Sequence, residues 1–268
     1  WKFEVVYSFP TEISISALNF LINQPPKNGS CSISPTNGTT TTSFQISCPD
    51  WIDEDGIKDY SVYSYDSSDK VMIAFSIVST IEILLPSGND QRLIIQIRDQ
   101  LNCLTEYNLS TLISVRSDFE SINNPIVNLL STGNQNTIGQ VLTSLSQEFN
   151  KMNTENVDKA VSSGIPAASI SVSSLTSQRL SSNGELNQSA LIEFNEQLNS
   201  QANVREYLIS FTQNLLITTS NSIKLQSSSL AQLTKATNQL SRATLSIAAE
   251  RCSKLSLALD SMSTKVSH

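Results

Sequence analysis

The sequence predicts an α+β protein in which an antiparallel β-sandwich comes first and an α-helical bundle follows. In the first 118 residues, short apolar runs alternate with a period of two and are separated by Gly, Pro, Asn and Asp turns. Beyond Asp118, apolar residues recur every three or four positions, as on one face of a helix. The number and spacing of the strands are typical of an immunoglobulin-like or fibronectin type III sandwich.

The composition limits the classes of partner. With 268 residues the chain has room for two domains that each bury a core. Only 15% of residues are charged and the net charge is −7, which argues against a nucleic-acid or anionic-membrane surface. No apolar stretch is long enough to span a membrane, and the chain opens with Trp1 and has no signal peptide. We therefore expect a piece of a longer protein whose anchor lies elsewhere.

Two alternating apolar runs open the chain and predict strands. Every second residue from Trp1 to Phe9 is apolar or aromatic, and a second run follows Pro10, from Ile13 to Ile22. We expect residues 1–12 to be the last strand of a preceding sandwich. The complete sandwich is expected to occupy residues 13–118.

The segment from Pro25 to Tyr65 has the punctuation of an antiparallel sandwich, with a Pro-Pro pair, two Asn-Gly turns and short alternating runs. Cys31 and Cys48 each lie on the apolar face of such a run, on strands that are candidates for pairing. We therefore predict a disulfide between them. By constraining the unfolded chain, it would stabilise the fold by about 3 kcal/mol.

Five further runs complete the predicted sandwich. The first two are joined as a hairpin by residues 66–69, and the third is stopped by Pro86. These runs cover residues 60–65, 71–77, 80–85, 92–98 and 109–115.

The helical half, residues 119–268, predicts a bundle of four to six elements. A capping box at Thr137 and Gln140 starts the first helix, and Thr154 is the expected cap of a short second helix. A third helix is restarted by an Asn203–Glu206 cap. The apolar stripe of the first helix comprises Ile138, Val141, Leu142, Leu145, Phe149 and Met152.

Two stretches of this half leave the chain path open. Residues 165–186 are rich in Ser and predict a flexible linker. From Leu230 to Val266 the apolar pattern predicts either one long helix or two helices broken near Ser241.

One line of sequence resembles a known family. The residues that carry the likeness are Pro25, Pro26, Gly29, Cys31, Pro35, Gly38, Phe44, Cys48, Trp51, Asp53, Glu54, Asp55, Gly56 and Tyr60, followed by Leu85, Pro86, Gly88 and Asp99. Over residues 13–118 they resemble the receptor-for-egg-jelly (REJ) module of the polycystins and their sperm and ciliary relatives. The resemblance implies an extracellular, non-catalytic module.

The helical half is similar to the α-helical first part of a GPCR-autoproteolysis-inducing (GAIN) domain, through the segment from Leu230 to Met262. Self-cleavage in such domains needs a His-Leu-Thr or His-Leu-Ser tripeptide. The single histidine of this sequence, His268, is its last residue, so no cleavage is expected. The same lack of a base argues against a Ser or Cys nucleophile, and we predict no enzyme activity and no cofactor.

Four Asn-x-Ser or Asn-x-Thr sequons, at Asn28, Asn37, Asn108 and Asn187, are candidates for N-glycosylation in a secreted protein. Chance also produces such triplets in a chain this rich in Asn, Ser and Thr. Three of the four fall in predicted turns or loops. Together with the predicted disulfide, they favour an extracellular or cell-surface location. The resemblance to the REJ module adds the ciliary membrane to the expected locations.

An acidic cluster follows the second cysteine. The carboxylates of Asp50, Asp53, Glu54 and Asp55 are hard oxygen ligands that suit calcium, but they lack the alternating spacing of a dedicated calcium loop. The simpler interpretation is a tight turn beside Gly56. The cluster is thus only a weak candidate metal site.

Three more residues have alternative roles. Trp51 is either a ligand-binding aromatic at the sandwich edge or, as is more usual for a Trp near a cysteine, a core residue packed on the disulfide. Cys103 and Cys252 match no zinc pattern. They are either a second disulfide, between sandwich and bundle, or partners of segments outside this chain, and a core position is the plain alternative for Cys252.

Two functions fit these features. The first is a binding and structural module of a polycystin-like membrane receptor or channel, for ligand or adhesion recognition and force transmission. The second is a glycosylated structural subunit of an extracellular filament or ciliary surface coat. The expected partners are other extracellular domains of the same or a neighbouring chain and N-linked glycans. Nucleic acid is not expected as a partner, and membrane contact is expected only through segments outside residues 1–268.

Overall fold

The computed structural model describes residues 1–66, 69–118, 135–165, 171–172 and 188–264, and shows strands followed by helices. The strands are β1 (Lys2–Ser8), β2 (Ile13–Asn19), β3 (Ser32–Ser34), β4 (Asn37–Thr39), β5 (Phe44–Ser47), β6 (Ile57–Asp66), β7 (Asp69–Ser76), β8 (Thr80–Ile83), β9 (Gly88–Gln91), β10 (Leu93–Asp99), β11 (Leu104–Asn108) and β12 (Ile113–Arg116). The helices are α1 (Gln135–Ser162), α2 (Gln188–Thr212), α3 (Ser220–Lys235) and α4 (Arg242–Thr264). The predicted α+β class is confirmed.

Strands β3 to β12 form the sandwich. One sheet has the order β11-β10-β6-β7, and two three-stranded sheets have the orders β3-β5-β8 and β4-β12-β9. Alternate residues of these sheets meet in one buried cluster, which includes Phe44 and Ile46 of β5, Val62 of β6, and Ile95 and Ile97 of β10. Alternation and a shared core are what two packed sheets produce, so the sandwich prediction is confirmed.

The first two strands stand apart from the sandwich. Strands β1 and β2 pair with each other over all seven of their residues and with no other described strand. Both faces of this hairpin are exposed, including Phe3 at 61% and Ile15 at 61%. The expected start of the sandwich at residue 13 therefore differs from the structure, in which the first sandwich strand begins at Ser32. The two runs form a hairpin because they are adjacent in sequence. The segment that follows, from Asn19 to Ser32, contains no described strand that would join the hairpin to the sandwich.

The predicted disulfide is present. Cys31 and Cys48 are joined with an S–S distance of 2.08 Å. They immediately flank the antiparallel pair Ser32 and Ser47 of β3 and β5, so the bond cross-links neighbouring strands of one sheet. Both cysteines are buried in the sandwich core.

The sequence missed three strands. The predicted hairpin of β6 and β7 and the strands β8 and β10 are present, but β4, β9 and β11 were not expected. Strand β4 begins with the Asn-Gly pair that the sequence indicated as a turn. Strand β9 has the polar sequence Gly-Asn-Asp-Gln, which carries no alternating signal. Strand β11 is an end strand whose outer residues are exposed, and only Thr105 and Tyr107 are half-buried. The predicted strand over 109–115 is correspondingly shifted to Ile113–Arg116.

A row of polar contacts crosses the outer side of the large sheet. Glu106 of β11 accepts a hydrogen bond from Gln96 of β10 at 2.6 Å and forms an ion pair with Lys70 of β7. The Lys70 ammonium lies 4.6 Å from the centre of the Tyr63 ring on β6. The row thus joins all four strands. The bonds from Lys70 and Gln96 hold the pKa of Glu106 below its ordinary value of 4.5.

The helices are longer than the sequence predicted. Helix α1 runs without interruption through Thr137 and Thr154, so neither residue is a helix cap. Thr154 instead donates its hydroxyl proton to the carbonyl of Asn150, one turn earlier. The Asn203–Glu206 cap is wrong for the same reason, because both residues lie inside α2. Thr and Asn favour helix starts, but their side chains can also bond to the backbone inside a helix, so a local pattern alone does not identify a cap.

The break near Ser241 is confirmed, so the two-helix alternative is right. A three-residue 3₁₀ turn, Thr237–Gln239, separates α3 from α4. Ser241 accepts a hydrogen bond from the Thr244 N–H at 3.0 Å at the start of α4. The linker predicted over 165–186 lies almost wholly outside the described residues. Within it, Ile165 is buried beside Phe194 of α2.

Two buried arginines hold the ends of other helices. Arg205 of α2 is fully buried and donates to the carbonyl oxygen of Leu233 at 2.8 Å and to Gln239 at 3.0 Å. Burial lowers the pKa of its guanidinium to about 10. Arg251 of α4 donates to the carbonyl oxygen of Leu215, just beyond α2, at 2.6 Å. The last carbonyls of α3 and the carbonyls that follow α2 are therefore satisfied by side chains from neighbouring helices.

Replacing both Cys31 and Cys48 by Ala should lower the free energy of unfolding by about 3 kcal/mol, because the unfolded chain regains the freedom that the cross-link removes. Urea unfolding followed by near-ultraviolet circular dichroism measures the change. The oxidised and reduced wild-type proteins provide the matched comparison. An unchanged midpoint after reduction would show that the bond contributes nothing.

The lowered pKa of Glu106 predicts a pH dependence of stability. Its contribution is fully present above the ordinary carboxyl pKa near 4.5 and is lost as pH falls through the lower folded value. Replacing Lys70 by Met should raise the Glu106 pKa towards the ordinary value, as followed by NMR of the side-chain carboxyl carbon. A Glu106 titration curve that is identical in the two proteins would contradict the assigned cause.

Candidate functional site: the joint between the sandwich and the helices

Helix α1 is buried on two sides. Its apolar residues Ile138, Leu142 and Phe149 belong to the core of the helical bundle. Its polar residues Ser144 and Glu148 are also buried, at 6% and 3% exposure. The helix packs against α3 on one side and against strand β7 of the sandwich on another. A polar face can be buried in this way only if its groups find hydrogen-bond partners.

The sandwich supplies those partners. Glu148 accepts hydrogen bonds from the backbone N–H of Ser87 at 3.0 Å and from the hydroxyl of Ser117 at 2.7 Å. One turn earlier, Ser144 donates to the carbonyl oxygen of Leu84 at 2.6 Å. The Leu84 side chain packs against the helical core. One carboxylate and one hydroxyl therefore attach α1 to three separate points after β8 and β12.

A second attachment uses a buried ion pair. Arg98 of β10 donates three hydrogen bonds to the Asp59 carboxylate of β6, the shortest at 2.6 Å. It donates a fourth to the side-chain oxygen of Asn221 on α3 at 2.8 Å. Asp59 is only 4% exposed. Desolvation by burial lowers the pKa of Lys224 on the same helix, and the nearby positive charges of Arg98 and Lys58 lower it further. The guanidinium therefore links two strands to α3 with a geometry that a flexible ammonium would not reproduce.

The two helices that contact the sandwich are also closely packed on each other. A Cβ placed on Gly139 would lie 2.7 Å from a methyl carbon of Leu225, so this position of α1 leaves no room for a larger residue. The Thr143 and Ser229 hydroxyls lie 2.7 Å apart across the same contact. Helices α1 and α3 thus form one layer on the outer side of β7.

A cleft of about 470 Å³ opens beside this joint. It lies between the end of β6, the loop before β9 and the middle of α1. Its lining includes Ser64, Tyr65, Ser87, Gln91, Gln147, Lys151, Glu155 and Lys235. Most of these side chains are polar, and Lys151 is held in place by a 2.9 Å hydrogen bond to the Ser87 hydroxyl.

The acidic cluster forms the tight turn that the sequence predicted. The Asp53 carboxylate accepts the backbone N–H of Asp55 at 2.9 Å, and Gly56 has a φ of 86°. Asp53 and Asp55 come together with Asp99, and their nearest carboxylate oxygens lie within 4.8 Å of one another, whereas Asp50 is not part of this group. Asp99 is fully buried and accepts hydrogen bonds from Cys103 and Asn23. Calcium binding here stays a hypothesis.

Trp51 lies at the rim of the sandwich core, half-buried. It packs against the cluster that contains both bonded cysteines, and its ring meets Tyr107 edge to face at 5.9 Å. Gly29 lies directly against the indole, since a Cβ there would be 2.2 Å from the ring. This arrangement matches the core role that the sequence favoured.

The suggested bond between Cys103 and Cys252 is wrong, because both are free thiols. Cys103 is half-buried, and its N–H donates to Asp99 in the turn between β10 and β11. Cys252 is exposed on α4, one residue beyond Arg251, which points into the bundle. Neighbouring positions on a helix face about 100° apart, so Cys252 lies on the outer surface and is not a core residue either.

Three of the predicted glycosylation sites are on the surface. Asn28, Asn37 and Asn108 are all exposed. Asn187 lies outside the described residues, as does His268. None of the described helices is long and apolar enough to cross a bilayer.

The comparisons with known proteins identify the family. A family model described as the REJ domain matches residues 2–148. The chain belongs to the REJ domain family. REJ domains are extracellular, non-enzymatic modules of polycystins. The match extends beyond the sandwich to Glu148 in α1, the residue that attaches the REJ sandwich to the helices.

The other comparisons add little. A comparison with curated proteins found no match. Among solved structures, the chain is 23% identical to one described as "Structural basis for the promiscuous specificity of the carbohydrate-binding modules from the beta-sandwich super family", with a TM-score of 0.29 and 37% of each chain covered. A likeness this low carries no inference about this protein.

The residues of the joint were missed by sequence reasoning. Glu148 was visible as the one acidic residue in an otherwise uncharged stretch of α1, and Asp59 and Arg98 as charges within apolar strands. These signals identify residues that need a partner. They do not say where the partner lies, because the joined residues are separated by up to 123 positions.

Replacing Glu148 by Ala should destabilise the protein by about 1–3 kcal/mol, because the Ser87 N–H and the Ser117 hydroxyl lose their acceptor. Glu148→Gln should cost less, since its oxygen and its amide can still serve these two groups. Glu155→Ala on the exposed side of the same helix is the matched control. Chemical unfolding of the three variants measures the difference. Equal effects of Glu148→Ala and Glu155→Ala would show that the hydrogen bonds of Glu148 do not stabilise the protein.

Proposed function

We propose that this chain is a force-transmitting and binding region of the outer part of a polycystin-like membrane receptor or channel. The observation that carries the proposal is the joint itself. Glu148 and Arg98 connect the sandwich to two helices through charge-assisted hydrogen bonds in a buried setting. Load applied at one end therefore reaches the other through buried contacts and not through a flexible linker.

The helical half is the proposed counterpart of the α-helical part of a GAIN domain. Four helices among the described residues, with a break between α3 and α4, support this, and so does the position of the helices after a REJ sandwich. In this proposal the helices pass force from the sandwich towards later segments of the protein.

The exposed hairpin of β1 and β2 is proposed to complete a preceding sandwich. A two-stranded hairpin is marginally stable alone, and apolar side chains such as Phe3, Tyr7 and Ile15 are exposed on its two faces. Other strands packed on these faces would remove them from water. Ligand or adhesion recognition is assigned to the polar cleft beside the joint and to the sandwich surface.

A joint that couples the sandwich to the helices should make the two parts unfold together. We expect the sandwich signal, from Trp51 fluorescence in a Trp1→Phe background, and the helix signal, from circular dichroism at 222 nm, to give one coincident denaturant transition. The double variant Glu148→Ala with Asn221→Ala should separate the two transitions, because it removes one contact from each attachment. In pulling experiments it should likewise convert one unfolding event into two.

Glu155→Ala with Ser253→Ala, two exposed positions on α1 and α4, is the matched control and should leave the transitions coincident. Separate transitions in the wild-type protein would overturn the proposal, because the two halves would then behave as independent domains.

A further inference from the structure

Two end strands of the sandwich each carry a sequon. Strand β4 is at the end of the sheet β4-β12-β9, and its first residue is Asn37. Strand β11 is at the end of the sheet β11-β10-β6-β7, and its last residue is Asn108. Both asparagines are exposed. An end strand presents unpaired backbone groups that can pair with a strand of another chain. On β4 the open position is Asn37, because Thr42 already accepts the N–H of Thr39 and donates to its carbonyl oxygen.

The rest of the large sheet is protected in a different way. Helices α1 and α3 pack against β7, the end strand opposite β11. At β11 the nearest cover is the loop before β3, where the Thr105 hydroxyl donates to the carbonyl oxygen of Pro26 at 2.5 Å. This contact lies at the second residue of β11. The opposite end of the strand, at Asn108, has no comparable contact among the described residues.

The charges on these strands do not protect them. Strand β4 consists of Asn37, Gly38 and Thr39 and has no charged side chain. The one charge of β11, on Glu106, is neutralised by the ion pair with Lys70. Edge strands are usually kept from associating by free charges, proline or a covering element. A covalently attached sugar would serve the same purpose.

We propose that N-linked glycans on Asn37 and Asn108 close these two edges to pairing with strands of other chains. In the modification, the side-chain amide nitrogen forms a bond to the anomeric carbon of a lipid pyrophosphate-linked oligosaccharide. The lipid pyrophosphate leaves, and the amide loses one proton. The resulting glycan is large and hydrated, so a strand approaching the edge would have to displace both sugar and water. The inference rests on the proposed function only for the extracellular location.

Asn28 provides an internal comparison. It is exposed, with a φ of 68°, in the loop before β3 and outside every described strand. Its glycan would cover no strand edge. Ser30→Ala removes this sequon without changing the left-handed residue itself, which would strain most substitutes.

Occupancy is tested first, on the whole chain secreted from a cell line that performs N-glycosylation. Enzymatic release of the glycans in ¹⁸O-labelled water, followed by peptide mass spectrometry, marks each occupied asparagine. We expect label at Asn37 and Asn108. Unmodified peptides at both positions would overturn the proposal and leave the proposed force-transmitting role untouched, because the joint contains neither residue.

The protective role is tested on the same material. An endoglycosidase that leaves a single N-acetylglucosamine shortens the glycans of the folded wild-type protein without changing a residue. Asn37→Gln with Asn108→Gln removes both attachment points, and Ser30→Ala is the control. In light scattering after size exclusion, we expect the trimmed protein and the double variant to lose monomer as concentration rises, and the control to behave as the untreated protein.

Hydrogen exchange locates the contact. At high concentration, the backbone amides of Asn37 and of residues 104–108 should gain protection in the trimmed protein only. Equal monomer fractions before and after trimming, or protection confined to the β1–β2 hairpin, would overturn the proposal. The trimmed protein makes the test independent of any folding defect in the variant.

Discussion

The architecture depends on helix α1, which packs against the apolar core of the bundle on one side and forms hydrogen bonds with the sandwich on another. Its apolar residues complete the bundle core, and its polar residues face a β-sheet from which water is excluded. Buried polar groups are tolerated only when each has a partner, and the sandwich offers an N–H, a hydroxyl and a carbonyl at suitable positions. The helix is therefore at once an element of the bundle and the outer cover of β7.

The buried charges add geometric specificity to this joint. An ion pair taken out of water gains little net stability, since desolvation offsets much of the attraction. Arg98 nevertheless restricts where Asp59 and Asn221 can lie, because its guanidinium is planar and both acceptor oxygens must lie close to that plane. Arg205 and Arg251 act similarly inside the bundle, where each satisfies carbonyls at or just beyond the end of a neighbouring helix. In these places hydrogen-bond geometry, more than apolar burial, selects the relative positions of the elements.

The surfaces of the protein divide according to what covers them. Helices cover β7, the disulfide cross-links β3 and β5, and the hairpin of β1 and β2 is left with both faces in water. Membership of the REJ domain family places these surfaces outside the cell. The apolar hairpin and the polar cleft are surfaces that no described element covers, and β4 and β11 are the end strands that carry sequons.

The sequence by itself determined the β-then-α order, the disulfide and the turn at Asp53, whereas only the structure decided that the last helical run breaks near Ser241. The first three features follow from local patterns, namely alternation, a pair of inward cysteines and an acidic residue that bonds the backbone of a tight turn. Only the tertiary structure decided that Thr154 and Asn203 lie inside helices, that Cys103 and Cys252 stay apart, and that Glu148 and Arg98 join the two halves. A local pattern records which groups need a partner, but the partner is chosen by elements that are distant in sequence and come together only in the packed protein.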